Sequence, residues 1–333
     1  MKALVLAGVN QPLELKEVAD LTAGPGEAVV SIKAAALNHR DLWIQKGQYA
    51  GLKFPIILGS DGCGTVESVG EGVDGAWTGR EVIINPGLDW GTRKEVQADN
   101  FRILGLPDDG TFAEQVRVPA SALADRPAHL DPAQAAALPL AGLTAYRALF
   151  SRAGLRAGER VLVTGVGGGA ALFALQFAVA AGAEVFVTSG SDDKIKRAVE
   201  LGAAGGVNYK ADKWSDALKE QAGGPFDVTI DSAGGPGFLP LIELAAPGGR
   251  IAFFGATAGD PAKFPMRRVF WKQLSILGTT MGSPEDFAAM TSFVADKKIV
   301  PLASHTFPLA EGNAALEAME KADQFGKIVL NVS

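Results

Sequence analysis

At 333 residues the chain is too long for one ordinary hydrophobic core and suits two domains. With 47% apolar and 20% charged residues it has the composition of a globular protein, which excludes a disordered or fibrous one. Its 31 basic and 37 acidic residues give a net charge of −6, with no Lys/Arg cluster to offset it, which argues against nucleic acid as a partner.

The start, MKALVLAGVNQPLELKEV, turns charged by Glu14 and Lys16 and reads as a first β-strand rather than a cleavable leader. Short β-branched runs follow, AVVSIKA (28–34), CGTVESVG (63–70), REVIIN (80–85) and FAEQVRVP (112–119), separated by turn residues. They predict a small, mostly-β domain. Between them, 87–110 reads as a long irregular excursion, of the kind that serves a site, an interface or a lost module. The only cysteine, Cys63 in LGSDGCG (58–64), excludes an internal disulfide and agrees with a reducing, cytoplasmic setting.

After a helical stretch at 129–150 the grammar changes. Apolar strands at 160–165, 184–189, 205–209, 227–234 and 250–255 alternate with helices at 169–182, 192–202, 213–221 and 239–249. That alternation predicts a buried parallel sheet with helices on both faces, an α/β architecture. A further strand at 275–281 could close the sheet. The apolar stretch at 170–183 is too short and too small in side chain to span a bilayer, so no membrane is expected as a partner. The tail holds helices at 284–298 and 311–322 and a last strand at 327–332, and is expected to return to the first domain. The expected domains are 1–127 with 284–333, and 128–283.

The stretch VLVTGVGGGAALFALQ (161–176) is a strand, a glycine cluster and a helix. Gly165, Gly167 and Ala170 fit a dinucleotide fingerprint. Reading one residue later, Gly168 and Ala171 take the second and third places, with Gly169 inside the turn in either register. Residues without bulk let the backbone approach a pyrophosphate, and the helix start supplies N–H donors. The next strand ends in Ser189, Gly190 and Ser191, with Asp192 and Asp193 already opening a helix. Small hydroxyl residues followed by Lys194 suit a 2′-phosphate, which a carboxylate at the tip would repel, so NADP(H) is the expected cofactor. Ser191 capping the following helix is compatible with that role.

These motifs, with ALNHRDL (36–42), FPIILGSDGCGTVESVG (54–70), DGTFAEQVRVP (109–119), AAALPLAGLTAYRAL (135–149), DSAGG (231–235) and FGKIVL (325–330), resemble the medium-chain dehydrogenase/reductase superfamily over essentially the whole chain. Within it the chain is similar to the zinc-free, quinone oxidoreductase-like branch. The resemblance implies a GroES-like catalytic domain around a Rossmann domain, with the active site in the cleft between them. It also implies Lys194 and Tyr209 as 2′-phosphate contacts. In zinc-dependent members the catalytic ligands would align with Asn38, Ser60 and a position near Leu140, and the Glu beside the ligand histidine with Asp61. Amide, hydroxyl and alkyl groups cannot make a zinc set, and 87–110 lacks the cysteines of a structural zinc lobe. No metal is therefore expected; the lobe remnant would be held by contacts such as Trp90 and Phe101, and Cys63 would be a small buried residue.

The resemblance further assigns Asn38 as a donor near nicotinamide and substrate, and Tyr49 as proton donor or substrate-orienting residue, with packing on the domain edge as its other reading. Asp41 joins them as a candidate that could instead cap or pair locally, and His39 could face the cofactor. Thr144 would abut the nicotinamide carboxamide. Gly234, Gly255 and Gly326 would allow close backbone approach to the cofactor, with Ser232 and Ala256 counted beside them, and Lys327 is a phosphate or ribose candidate. The implied activity is NADPH-dependent hydride transfer to a quinone or an α,β-unsaturated carbonyl. A zinc-type alcohol or aldehyde dehydrogenase and a non-catalytic NADPH-binding structural protein stay as alternatives. The edge strand near 274–281 is apolar enough to pair with a second copy, so a homodimer is expected.

Overall fold

The run Glu27–Ala36, apolar except at Glu27, Ser31 and Lys33, folds as the central strand of the first of two units, Met1–Ala141 with Gly282–Ser333. The structure is a computed structural model and describes residues 1–333. Along one edge this strand pairs antiparallel with Asp61–Val69; along the other it pairs with Gln115–Pro119 and then with Lys327–Asn331. Its apolar residues are buried on both faces, and Glu27, Ser31 and Lys33 fall where burial is only partial. Glu81–Ile84 and Leu123–Asp125 extend the sheet on one side, and Ala303–Pro308 on the other. Leu4, Ile32, Leu58, Ile84, Phe112 and Leu330 fill the core. Each large apolar side chain buried this way contributes about 1.5–3 kcal/mol.

The excursion at 87–110 is held by contacts among its own residues. Trp90 is buried and meets Phe101 edge-on, with ring centroids 5.3 Å apart. Gly87–Leu88 pairs with Arg102–Ile103, and the Arg102 guanidinium bridges Asp89, at 2.9 Å, and Asp108.

The second unit, Gly142–Met281, is a six-stranded parallel sheet. Its order is Gly205–Asn208, Glu184–Ser189, Arg160–Val163, Phe226–Asp231, Ala245–Phe253 and Ser275–Gly278. Strand order therefore reverses next to Arg160–Val163, the topological switch point at which doubly wound folds bind ligands outside the carboxyl ends of their strands. The helices Gly169–Ala180, Asp192–Glu200, Trp214–Ala222 and Phe238–Leu244 make the crossovers. No helix is long and apolar enough to cross a membrane.

Three expectations change. The helix at 129–150 is divided into Pro132–Ala136, Pro139–Tyr146 and a π-turn stretch, Arg147–Arg152. Pro139 explains the break, because its ring clashes with the preceding turn and it has no N–H to donate. Pro132–Ala136 packs on Glu27–Ala36 and Asp61–Val69, so the units divide after Ala141 rather than after residue 127, and again after Met281. The helix at 239–249 stops at Leu244, where AAPGG carries the chain directly into its strand. Ala303–Pro308 and the short helix Met266–Trp271 lacked the patterns of their types: the first is a largely exposed edge strand and the second keeps its large side chains outside.

Candidate active site

In the first unit, three residues far apart in sequence close a buried ring. Asn38 ends the linker out of the central strand, Asp61 starts the adjacent strand, and Lys327 starts the strand on the opposite edge. Lys327 Nζ donates to Asn38 Oδ1 at 2.6 Å and to Asp61 Oδ2 at 2.9 Å; Asn38 Nδ2 donates to the same Asp61 oxygen at 2.9 Å. Asp61 Oδ1 accepts the backbone N–H of Leu140 at 2.8 Å, so both carboxylate oxygens are used. The Lys327 and Asp61 side chains are 5% and 0% exposed, which makes this a desolvated ion pair with its hydrogen bonds satisfied. Lys327 was expected at a cofactor phosphate or ribose; the structure places its ammonium on Asn38 and Asp61 instead. Gly326, at φ +129°, turns the chain into the strand just before it.

Behind the ring lies a second buried cation. Arg40 Nη1 donates to Ser60 Oγ and to the Leu104 carbonyl, each at 2.8 Å, and Nη2 reaches the Leu106 carbonyl at 3.3 Å. Ser60 Oγ itself donates to the Leu104 carbonyl at 2.7 Å. The guanidinium also lies 5.1 Å from the ring centre of Tyr49, and its Nε donates to the Tyr49 hydroxyl at 3.4 Å. Tyr49 is half-buried and packs against the core, so the edge-packing reading describes its ring while its hydroxyl meets Arg40. Sequence reasoning passed over Arg40; an arginine inside the short apolar-rich helix His39–Gln45 was the available signal.

Asp41 caps that helix locally: its Oδ2 accepts the Asn38 N–H at 2.8 Å, the reverse half of a capping box. Its Oδ1 is buried with no partner. Burial pushes the carboxyl up to about 6, against the attraction of Arg40. The folded state therefore holds a proton between the ordinary value of 3.8 and about 6 that the unfolded chain releases, and stability falls as pH rises through that window. The loss amounts to about 3 kcal/mol. Asp41→Asn, which keeps an acceptor for Asn38, is expected to flatten this fall; urea denaturation of variant and parent at pH 4.5 and pH 7 checks it, and parallel profiles would contradict it.

His39 is reached by water yet stands among protein groups; desolvation, and then the Lys327 ammonium, push its pKa down. Cys63 is buried in the strand Asp61–Val69, and burial pushes its thiol up to about 12, so it has the character of a small apolar residue.

Zinc needs three or more thiolate, imidazole or carboxylate donors around one point. No group of three His, Cys, Asp or Glu side chains could hold an ion. Asn38 Oδ1 is bonded to an ammonium, Ser60 Oγ is buried between Arg40 and Leu104, and Leu140 has an alkyl side chain and donates its N–H to Asp61. These residues do not fit a catalytic zinc.

In the second unit, the other candidates gather past the carboxyl ends of successive strands. Gly165 and Gly167 adopt φ +63° and +140°, and Gly168 caps the helix Gly169–Ala180. The N–H groups of Gly169, Ala170 and Ala171 thus open a helix with no partner inside it, a ready anion site. A Cβ at Gly167 would lie 2.9 Å from Lys194 Cδ, so the lysine side chain crosses the glycine turn. A Cβ at Gly190 would lie 2.8 Å from the Tyr209 hydroxyl, which brings Tyr209 to the strand tip as well. Ser191 caps the helix Asp192–Glu200 by accepting the Lys194 N–H at 3.4 Å. Ser189 is buried and donates to the Val166 carbonyl at 3.0 Å. Ser232 and Gly234 follow Phe226–Asp231, Gly255 and Ala256 follow Ala245–Phe253, and Thr144 is buried in the helix Pro139–Tyr146.

Asp231 and Thr164 were not anticipated. Asp231 accepts Thr164 Oγ1 at 2.5 Å and the Gly234 N–H at 2.8 Å, tying two strand ends together. Polar residues closing otherwise apolar strands were the signal for them.

Residues 24–128 match the profile of the alcohol dehydrogenase GroES-like domain, and residues 169–296 that of the zinc-binding dehydrogenase. A zinc-type alcohol dehydrogenase-like protein of Leptosphaeria maculans is 37% identical over 97% of this chain and 96% of its own. An acryloyl-coenzyme A reductase of Metallosphaera sedula is 32% identical over 99% of each. The crystal structure of an NAD-dependent alcohol dehydrogenase superposes with a TM-score of 0.94 at 38% identity, covering 100% of both chains.

Proposed function

Because the chain belongs to the medium-chain dehydrogenase/reductase superfamily, carrying its GroES-like and Rossmann-like units, we propose that it transfers hydride from NADPH to a quinone or an α,β-unsaturated carbonyl without zinc. The observation that carries this reading is the ring of Asn38, Asp61 and Lys327, in which Asn38, at a position where zinc-dependent relatives would keep a metal ligand, is instead held as a hydrogen-bond donor. Donors alone stabilise a developing oxyanion best when the acceptor spreads the incoming charge, as conjugated acceptors do. The Metallosphaera relative is named for such an acceptor, a conjugated acyl thioester.

The solved relative is named for NAD, so the choice of NADPH rests on this chain's own strand tip. Ser189, Gly190 and Ser191 put no carboxylate there, and Lys194 and Tyr209 converge on it. The first-turn N–H groups of Gly169, Ala170 and Ala171 take the pyrophosphate, and Lys194 and Tyr209 the 2′-phosphate. When bound, the nicotinamide supplies the hydride. Thr144, Ser232, Gly234, Gly255 and Ala256 line the nucleotide side of the reaction. Asn38 donates to the substrate oxygen on which charge gathers. Tyr49, its hydroxyl accepting from Arg40, keeps its own proton for the substrate. One hydride and one proton reduce the conjugated bond.

NADPH oxidation across a panel of quinones and enones, with NADH in parallel, tests the proposal. Turnover with NADPH preferred is expected; tight NADPH binding with no turnover on any acceptor would refute it.

We also propose a homodimer through the second unit. Ser275–Gly278 is an open sheet edge, and Phe264, Met266, Phe270 and Trp271 stand exposed near it in sequence, Trp271 at 83%. Light scattering should report a dimer for the parent and a monomer for Trp271→Glu; a monomeric parent would contradict this.

A further inference from the structure

The ring around Asn38 decides which of its amide hydrogens is free. Lys327 Nζ sits on Oδ1, and Asp61 Oδ2 binds both that ammonium and Nδ2. The ring therefore closes across the amide edge and takes the Nδ2 hydrogen lying on the same side as Oδ1. The second hydrogen points out of the ring, and Nδ2 donates to no other protein acceptor. The ammonium at 2.6 Å draws electron density from the amide carbonyl, which strengthens that remaining N–H as a donor in a low-dielectric setting. Asp61, anchored by the Leu140 N–H, keeps the charge in place.

We infer that Lys327 is a positioning residue for carbonyl reduction: acting through Asn38, it orients the free amide N–H and makes it a charge-assisted donor to the substrate oxygen. Positive charge that a metal would place directly on that oxygen is delivered here through one amide. The inference rests on the proposed reduction of conjugated carbonyls.

Lys327→Gln keeps a donor for Asn38 Oδ1 but removes the charge, and Lys327→Arg keeps the charge. With an acceptor that the parent reduces, Lys327→Gln is expected to lower kcat roughly tenfold to hundredfold, leaving NADPH affinity unchanged, while Lys327→Arg recovers much of the loss. In an Asn38→Ala background Lys327→Gln should add no further loss, because the lysine acts through that amide. The double variant Asp61→Asn/Lys327→Gln buries no charge; it should fold by circular dichroism and still turn over slowly. Three results would overturn the inference: full kcat in Lys327→Gln, weaker NADPH binding with kcat at saturation unchanged, or parental kcat in the double variant. If the parent reduces nothing, the functional reading fails by itself. The ring is then tested by the 15N shift of the Asn38 side-chain amide: Lys327→Gln should move it, and an unchanged shift would count against any influence of the lysine on that amide.

Discussion

Asp61→Ala is expected to cost the protein about 3–5 kcal/mol of stability, because it strands a buried ammonium. Lys327 is 5% exposed and has Asp61 as its only carboxylate partner. The same substitution takes the acceptor from the Leu140 N–H and from Asn38 Nδ2. Thermal denaturation should show a fall on the order of 10 °C. The companion Asp61→Ala/Lys327→Met removes both charges and fills part of the space with apolar atoms, and should recover most of the loss. A single variant within about 1 kcal/mol of the parent would mean that water reaches the pair after all and screens it.

Lys194→Ala should lower kcat/KM with NADPH roughly tenfold to hundredfold, the value of one charge-assisted bond to phosphate at about 1.5–3 kcal/mol. The side chain crosses the turn at Gly167, and its own N–H meets Ser191, so the lysine belongs to the strand tip by both backbone and side chain. With NADH, which has no 2′-phosphate, the variant should match the parent. Steady-state kinetics with both cofactors decide the matter. An unchanged ratio between them would remove Lys194 from the 2′-phosphate site and leave the cofactor choice resting on the absent carboxylate alone.

Local grammar carried much of the fold. The apolar strands from Val161 onward, each followed by a helix, could form only a buried parallel sheet, and the glycine cluster at 165–169 marked its switch point. Cys63 was legible as a buried residue from the glycines and apolar strand around it. The ring was legible only in part. Asn38 and Asp61 could be singled out by what they replace, but Lys327 lies 289 residues from Asn38, and no local pattern announces a partner at that distance. A lysine after a glycine at a strand start looks the same whether it reaches for phosphate or for a buried carboxylate. Ser189 shows the same limit: a hydroxyl at a strand tip suits a ligand, and only the fold reveals that it turns back to the Val166 carbonyl. Pro139, in contrast, was visible in the sequence, and its power to divide the helix at 129–150 follows from its ring alone.

Metal analysis of the purified protein, coupled to NADPH oxidation before and after exhaustive chelation, tests the central claim most directly. The donor chemistry of Asn38, Ser60, Asp61 and Leu140, with Lys327 bonded into their midst, predicts turnover of a conjugated acceptor by protein free of stoichiometric zinc, undiminished by the chelator. Stoichiometric zinc whose removal abolishes turnover and whose return restores it would contradict the account.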